Sequence, residues 1–243
     1  MIKLVVDVGN TNSKLFVFDK NRLLLSEIAD SDQKTAIFLN EIKKKYIIEA
    51  CIVSSVREID AEINNNLNQI KNCIFFDYRL KLPITNLYKT PETLGPDRIA
   101  AVVGASSLFP SQNIIVIDAG TAITYDIILA NMNYIGGNIS PGIQTRFKAL
   151  NTFTGKLPLL SIDMKNENII GTTTNEAILC GVQNGIIWEI EGLVAQIGKR
   201  YGDIKVLVTG GDYRFLVKSL KIPIFAESNL TAIGLNKILE LNV

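Results

Sequence analysis

The sequence predicts an α/β protein made of two duplicated halves, each a mixed sheet flanked by helices, on three observations. Apolar runs of strand length alternate with segments of helical periodicity along the chain, the pattern of layered α/β folds. Asp7-Val8-Gly9-Asn10-Thr11 and Asp118-Ala119-Gly120-Thr121 each stand between two apolar runs, at an offset of 118 − 7 = 111 in a chain of 243 residues, which marks a duplication. Val206-Leu207-Val208 leads into Thr209-Gly210-Gly211-Asp212, a third glycine-rich turn at a strand end. The offset divides the chain into domains at 1–112 and 113–243.

Leu4, Val5 and Val6 form a short buried strand and Leu15 to Phe18 resume the strand pattern, so the polar residues between them cap a hairpin. Arg22 to Ala29 adds a third strand. Ser31 or Asp32 then caps an amphipathic helix to about Lys45, with Ala36, Ile37, Leu39 and Ile42 apolar and Lys43-Lys44-Lys45 at its solvated end. Ala50 to Val53 is a strand running into Ser54-Ser55, Ile59 to Ile70 is helical, and Cys73 to Phe76 is a strand. Residues 82–97 make a long connection rich in Pro and Thr, of the kind that carries function. Thr93-Leu94-Gly95-Pro96-Asp97-Arg98 opens a helix over Ile99 to Leu108, in which Ala100, Ala101, Gly104 and Ala105 permit close packing. Ile114 to Ile117, the run through Leu129, and Tyr134 to Ile139 supply three strands of the second half, with Gly136-Gly137-Asn138 and Pro141-Gly142 constraining the turn that follows. Residues 143–160 read as a helix followed by an extended Leu157-Pro158-Leu159. Gly171-Thr172-Thr173-Thr174 caps a long helix from Asn175 to about Tyr201, and Asn229 to Leu241 closes the chain as a helix.

Hydrophobic residues make up 47% of the chain, enough for a sizeable core. With 25 basic against 24 acidic residues the net charge is +1, which gives no electrostatic reason to expect nucleic acid or an anionic membrane as partner. A small-molecule enzyme fits that balance. No apolar run reaches the ~18 residues a spanning helix needs, and a cytoplasmic location is expected. Cys51, Cys73 and Cys180 are odd in number, widely spaced and free of C-x-x-C pairing, as reduced thiols are. The chain has no histidine, which removes the usual general base, the Ser-His-Asp triad and every His-containing metal site. A proton acceptor must therefore be Asp, Glu, Lys, Tyr or Cys.

The first hairpin has the chemistry of a phosphate grip. Gly9 lets backbone approach a ligand closely, Asn10, Thr11, Asn12 and Ser13 offer small hydrogen-bonding groups, and the Asp7 carboxylate suits a hydrated Mg2+. Such clusters also build ordinary polar hairpins. Three such turns, the duplication and the lack of a G-x-x-x-x-G-K-[ST] motif point to the ATP-binding fold of actin, Hsp70 and the sugar kinases. In that fold two actin-like, ribonuclease H-like domains place the active site in the cleft between them.

At this point a specific resemblance emerges. The chain resembles the type III pantothenate kinases through D-V-G-N-T-N-S-K at 7–14, G-P-D-R at 95–98, D-A-G-T at 118–121, G-G-N-I-S-P-G at 136–142, G-T-T-T-N-E-A-I at 171–178 and T-G-G-D at 209–212. The resemblance implies ATP-dependent phosphorylation of pantothenate to 4'-phosphopantothenate, the first committed step towards coenzyme A, with Mg2+ and a monovalent cation, K+ or NH4+. It implies Asp97 as proton acceptor and Arg98 as partner of the pantothenate carboxylate, with Tyr88, Gly95, Pro96 and Thr174 at substrate positions. Asp7, Val8, Gly9, Asn10, Thr11, Asn12, Ser13, Lys14 and Thr121 match ATP positions, Asp7 also organising Mg2+, and Asp118 matches the monovalent cation position. A homodimer is implied as well, for which the apolar segment 175–197 serves equally as interface or as core. Read by themselves, Asp97 is more readily a helix-start carboxylate, a preference the matching motif reverses, and Arg98 is equally a salt-bridge partner of Glu92. Pro96 fixes φ and removes an amide donor before Asp97, either stiffening the loop or starting the helix. Lys156 receives no role. Two other readings keep the fold: a kinase or phosphohydrolase for another small acceptor, and a non-catalytic nucleotide-gated regulatory protein, against which Asp97 and Arg98 argue.

Overall fold

The computed structural model describes residues 1–243. In chain order the first elements are β1 (Ile2–Val8), β2 (Ser13–Asp19), β3 (Arg22–Ala29), α1 (Asp32–Lys45), β4 (Ala50–Ser55), α2 (Ala61–Asn68), β5 (Cys73–Phe75), β6 (Thr85–Asn86) and α3 (Pro96–Leu108). There follow β7 (Ile114–Ala119), β8 (Ala122–Ile128), β9 (Asn133–Pro141), α4 (Ile143–Phe153), α5 (Thr174–Tyr201), β10 (Lys205–Thr209), α6 (Tyr213–Ser219), β11 (Phe225–Ala226) and α7 (Leu230–Asn242).

One compact unit comprises Met1–Pro110, Met132–Tyr134 and Asn229–Val243. Its sheet runs β3-β2-β1-β4-β5, antiparallel through β3, β2 and β1 and parallel from β1 to β5. Period-two alternation sends Leu4, Val6, Val8, Leu15 and Val17 into a core shared with Ala36, Leu39 and Ile42 of α1 and Ile63 and Leu67 of α2. The opposite face of β1 carries Lys3, Val5 and Asp7; Lys3 is buried there with its Nζ 2.5 Å from Glu240 of α7. α3 and α7 meet backbone to backbone. A Cβ on Gly234 would stand 1.7 Å from the Ala100 carbonyl oxygen, and one on Gly104 2.3 Å from that of Leu230. The small residues of α3 are thus what permits this approach. β6 pairs in parallel with Asn133 and Tyr134, which belong to the same unit.

The other unit comprises Ser111–Asn131 and Ile135–Ser228. Its strands run β11-β10-β7-β8-β9, with β7 and β8 antiparallel and β7, β10 and β11 parallel. That order repeats the first sheet strand for strand, so the repeat read at Asp7 and Asp118 is the repeat of a whole sheet. Ile115, Ile117, Ile123 and Tyr125 pack with Phe147 of α4, Ile178, Val182, Ile186 and Ile190 of α5, and Phe215 of α6. Thr173 caps α5 through a reciprocal capping box with Glu176, and Gly202 ends it at φ 82°.

Several sequence boundaries move. α3 begins at Pro96 rather than Ile99, because proline costs nothing at a helix's first position, where no amide bond is lost. The helix expected at the head of residues 143–160 runs over Ile143–Phe153 and ends before the extended Leu157-Pro158-Leu159, as read. α6 and β11 are additional elements. The expectation that no stretch is long and apolar enough to cross a membrane is corrected by α5, whose 28 residues meet that test by length and composition. Its apolar positions recur around Glu189 and Glu191, which interrupt a continuous run but not a helical stripe, and 39% of its apolar window is buried.

Candidate active site

The pleat decides which residues of the first hairpin meet. Asp7 of β1 pairs in register with Lys14 of β2 and Ser54 of β4, so all three side chains stand on the face that Lys3 shares with α7. Val8 and Ser13 point the other way, Val8 into the core with α1 and α2, and the buried Ser13 hydroxyl has no protein hydrogen-bond partner. Gly9, Asn10, Thr11 and Asn12 form the turn, closed by one backbone bond from Gly9 N to Asn12 O at 3.0 Å, with Asn10, Thr11 and Asn12 exposed.

Burial pushes the Asp7 carboxyl up from 3.8 to about 6; Lys14 pulls it back, the Asp97 carboxylate pushes it further, and the Ser54 hydroxyl favours the anion. Asp97, the second residue of α3, is therefore within electrostatic reach of Asp7, 90 positions away in sequence by 97 − 7. Its Oδ1 accepts from the Arg98 amide at 2.9 Å and would lie 2.4 Å from a Cβ on Gly95, so only glycine there leaves the carboxylate in place. The Arg98 side chain is buried, its guanidinium carbon 5.6 Å from the centre of the Tyr88 ring. Tyr88 in turn stacks on Tyr134 at 6.2 Å, which fixes the ring that Arg98 faces.

In the second unit Asp118 pairs in register with Thr124 and Thr209, where Asp7 has Lys14 and Ser54. The Thr124 hydroxyl thus stands where the first hairpin has the Lys14 ammonium, and Thr209 where it has Ser54. Gly210, at φ 93°, stands against Asp118: a Cβ there would be 2.4 Å from its Oδ1. Thr121 is exposed on the two-residue turn Gly120-Thr121, and its carbonyl accepts from Gly142 N at 3.0 Å and Thr145 Oγ1 at 2.7 Å. Arg146 braces the following turn, donating to Pro141 O at 2.8 Å, Ser140 Oγ at 2.6 Å and Glu189 Oε2 at 2.5 Å. Tyr125 donates to the same Glu189 at 2.7 Å; burial raises this carboxylate, but the bonds from Tyr125, Arg146 and Ser140 outweigh it and leave Glu189 below its usual range. Thr174, the first residue of α5, is exposed and lines an apolar groove of about 810 Å³ with Arg146, Phe153, Leu157 and Ile178.

Sequence reasoning gave Ser54 no role. A serine at a strand end carries no signal until the register sets it beside Asp7, with its buried Oγ lacking a geometrically sound protein partner. A buried carboxylate that folding leaves undercompensated, beside the Ser54 hydroxyl, suits a hydrated divalent cation carried on a triphosphate. No group of three or more Cys, Asp or Glu side chains forms a dedicated metal cage, and Mg2+ on phosphates needs only one or two carboxylates.

Two sheets that share the order of five strands, each with an Asp-bearing hairpin, define the actin-like fold. The activator of 2-hydroxyisocaproyl-CoA dehydratase from Clostridium difficile, solved with ADPNP, shares this fold at a TM-score of 0.59 and 16% identity over 99% of this chain and 94% of that one. A conserved Baf family protein from Campylobacter jejuni aligns at a TM-score of 0.62 and 26% identity, over 98% of this chain and 97% of that one. Residues 3–196 match the type III pantothenate kinase family. The type III pantothenate kinases of Christiangramia forsetii and Phocaeicola vulgatus are 41% and 42% identical, each over 99% of both chains. The chain belongs to the type III pantothenate kinase family. It is an ATP-dependent kinase that phosphorylates pantothenate in coenzyme A biosynthesis.

Proposed function

We propose that Asp97 is the proton acceptor of this reaction, and the observation that carries the assignment is its place on the first turn of α3, within electrostatic reach of Asp7 at the foot of the first hairpin. Pantothenate's primary hydroxyl loses its proton to the Asp97 carboxylate as the γ-phosphoryl group of ATP is transferred to its oxygen; ADP leaves. The Gly9–Asn12 turn and Lys14 hold the phosphates, with Val8 and Ser13 contributing backbone, and Thr121 contributes from the second hairpin. Asp7 and Ser54 would hold Mg2+ carried on the nucleotide, and what it would supply there is neutralisation of the phosphate charge. Arg98 pairs with the pantothenate carboxylate as a planar fork, steadied by Tyr88, while Gly95 and Pro96 set the loop and Thr174 contacts substrate. Asp118, flanked by Thr124 and Thr209, offers hard oxygen ligands to K+ or NH4+. The protein acts in the cytoplasm as a homodimer.

A coupled ADP-release assay tests the reading. With ATP, Mg2+, K+ and pantothenate, ADP appears in step with phosphopantothenate, and omission of pantothenate removes it. Asp118→Ala abolishes the K+ response. Equal ADP release without pantothenate contradicts the acceptor, and an unchanged K+ response in the variant contradicts the cation assignment.

A further inference from the structure

Outside the residues assigned above, one side chain touches the phosphate hairpin from a different part of the chain. Arg57 follows β4, and its guanidinium is used in three directions. Nε donates to the Gly9 carbonyl at 3.1 Å, Nη1 donates to Glu58 O at 3.3 Å and to Asp32 Oδ2 at 3.1 Å, and Nη2 donates to Asp32 Oδ1. Its backbone is pinned too: Ser55 Oγ donates to Arg57 O at 2.5 Å, while Val56 N donates to Val8 O at 3.1 Å and prolongs the β1 to β4 pairing. Asp32 opens α1, where the helix dipole favours its charge, and the bonds from Arg57 hold its carboxyl below the usual range.

A surface ion pair is a poor reason for such geometry. The two side chains keep 31% and 36% of their surface exposed, and pairs of that exposure add little to stability. What the contact fixes is the position of a four-residue turn that otherwise has one internal backbone bond and three exposed residues. Amides that receive phosphate oxygens act best when already in place. Only a planar fork reaches a carbonyl and both oxygens of a carboxylate at once; an ammonium does not.

We infer that Arg57 is the positioning residue of the phosphate hairpin, holding the Gly9 carbonyl in place while Asp32 orients its guanidinium. This rests on the assignment of the Gly9–Asn12 turn to ATP phosphates. Steady-state kinetics with binding of ATP and of adenosine, on Arg57→Met, Arg57→Lys, Asp32→Asn and a Lys14→Ala control, test it. Arg57→Met raises the KM for ATP roughly tenfold or more, with the KM for pantothenate and the affinity for adenosine within about twofold of wild type. Asp32→Asn moves the same constant in the same direction, and Arg57→Lys, which keeps the charge and loses the fork, does not restore it. Should Arg57→Met fail to fold, Arg57→Lys gives the same reading. An ATP KM within about twofold of wild type in the folded Arg57 variants overturns the inference, as does a parallel fall in ATP, adenosine and pantothenate affinity. If Lys14→Ala raises the ATP KM while the Arg57 variants do not, the positioning role alone fails. If none of them does, the hairpin assignment fails with it.

Discussion

Asp7 is the residue at which folding and the proposed role in binding Mg-ATP oppose each other. Its carboxyl titrates near 6 in the folded chain against 3.8 in an exposed one, so between those values the folded state holds a proton that the unfolded state has released. Stability therefore falls as pH rises through that window, by roughly 3 kcal/mol in all at ~1.4 kcal/mol per unit. Asp7→Asn, a mimic of the protonated form, is accordingly more stable than wild type in urea melts above pH 6, with the gain shrinking to nothing below pH 4, while its Mg-ATP turnover is lost. A gain independent of pH contradicts the burial argument. The sequence named Asp7, Lys14 and Asp97 individually, through motifs. It could not bring them together, because their shared face depends on the register of three strands and on where α3 begins. Ser54 was invisible for the same reason.

At the scale of elements, α3 carries Asp97 and Arg98, and its placement rests on α7. The backbone approach at Gly104 and Gly234 leaves no room for a methyl group. Gly234→Ala should thus cost on the order of 1–3 kcal/mol or more by forcing the helices apart. Thermal unfolding measures this, together with a loss of turnover larger than the loss of folded protein, since the displaced helix carries Asp97. Unchanged melting and turnover contradict the packing. Helices with clear caps and sustained periodicity, such as α1 and α5, were legible; Ser31 and Thr173 cap them through their side chains. α6, of 7 residues, and β11, of 2, were not, because so short a segment completes no pattern. α5 was read as a helix but not as one apolar enough to cross a membrane, since two glutamates interrupt its run while leaving its stripe intact.

Across the whole molecule, the duplication was the most legible feature and also the most informative. One Asp-x-Gly repeat foretold two sheets that share the order of five strands, and the two hairpins differ in what the register sets beside the aspartate, Lys14 and Ser54 at Asp7 but Thr124 and Thr209 at Asp118. The proposed homodimer is tested through α5, which leaves the chain's single tryptophan, Trp188, with 58% of its surface exposed. Trp188→Glu is expected to shift a sedimenting dimer towards monomer, and in the wild type the tryptophan emission should move to the red on dilution. A wild-type monomer at all concentrations removes the dimer. The most direct measurement is a rapid-quench single turnover of ATP and pantothenate on wild type and Asp97→Asn, with ATP affinity measured alongside. The transfer rate should fall by roughly 10² to 10⁴, the usual contribution of a positioned general base, with ATP affinity unchanged. A transfer rate in Asp97→Asn within about twofold of wild type would contradict the role of Asp97 as proton acceptor.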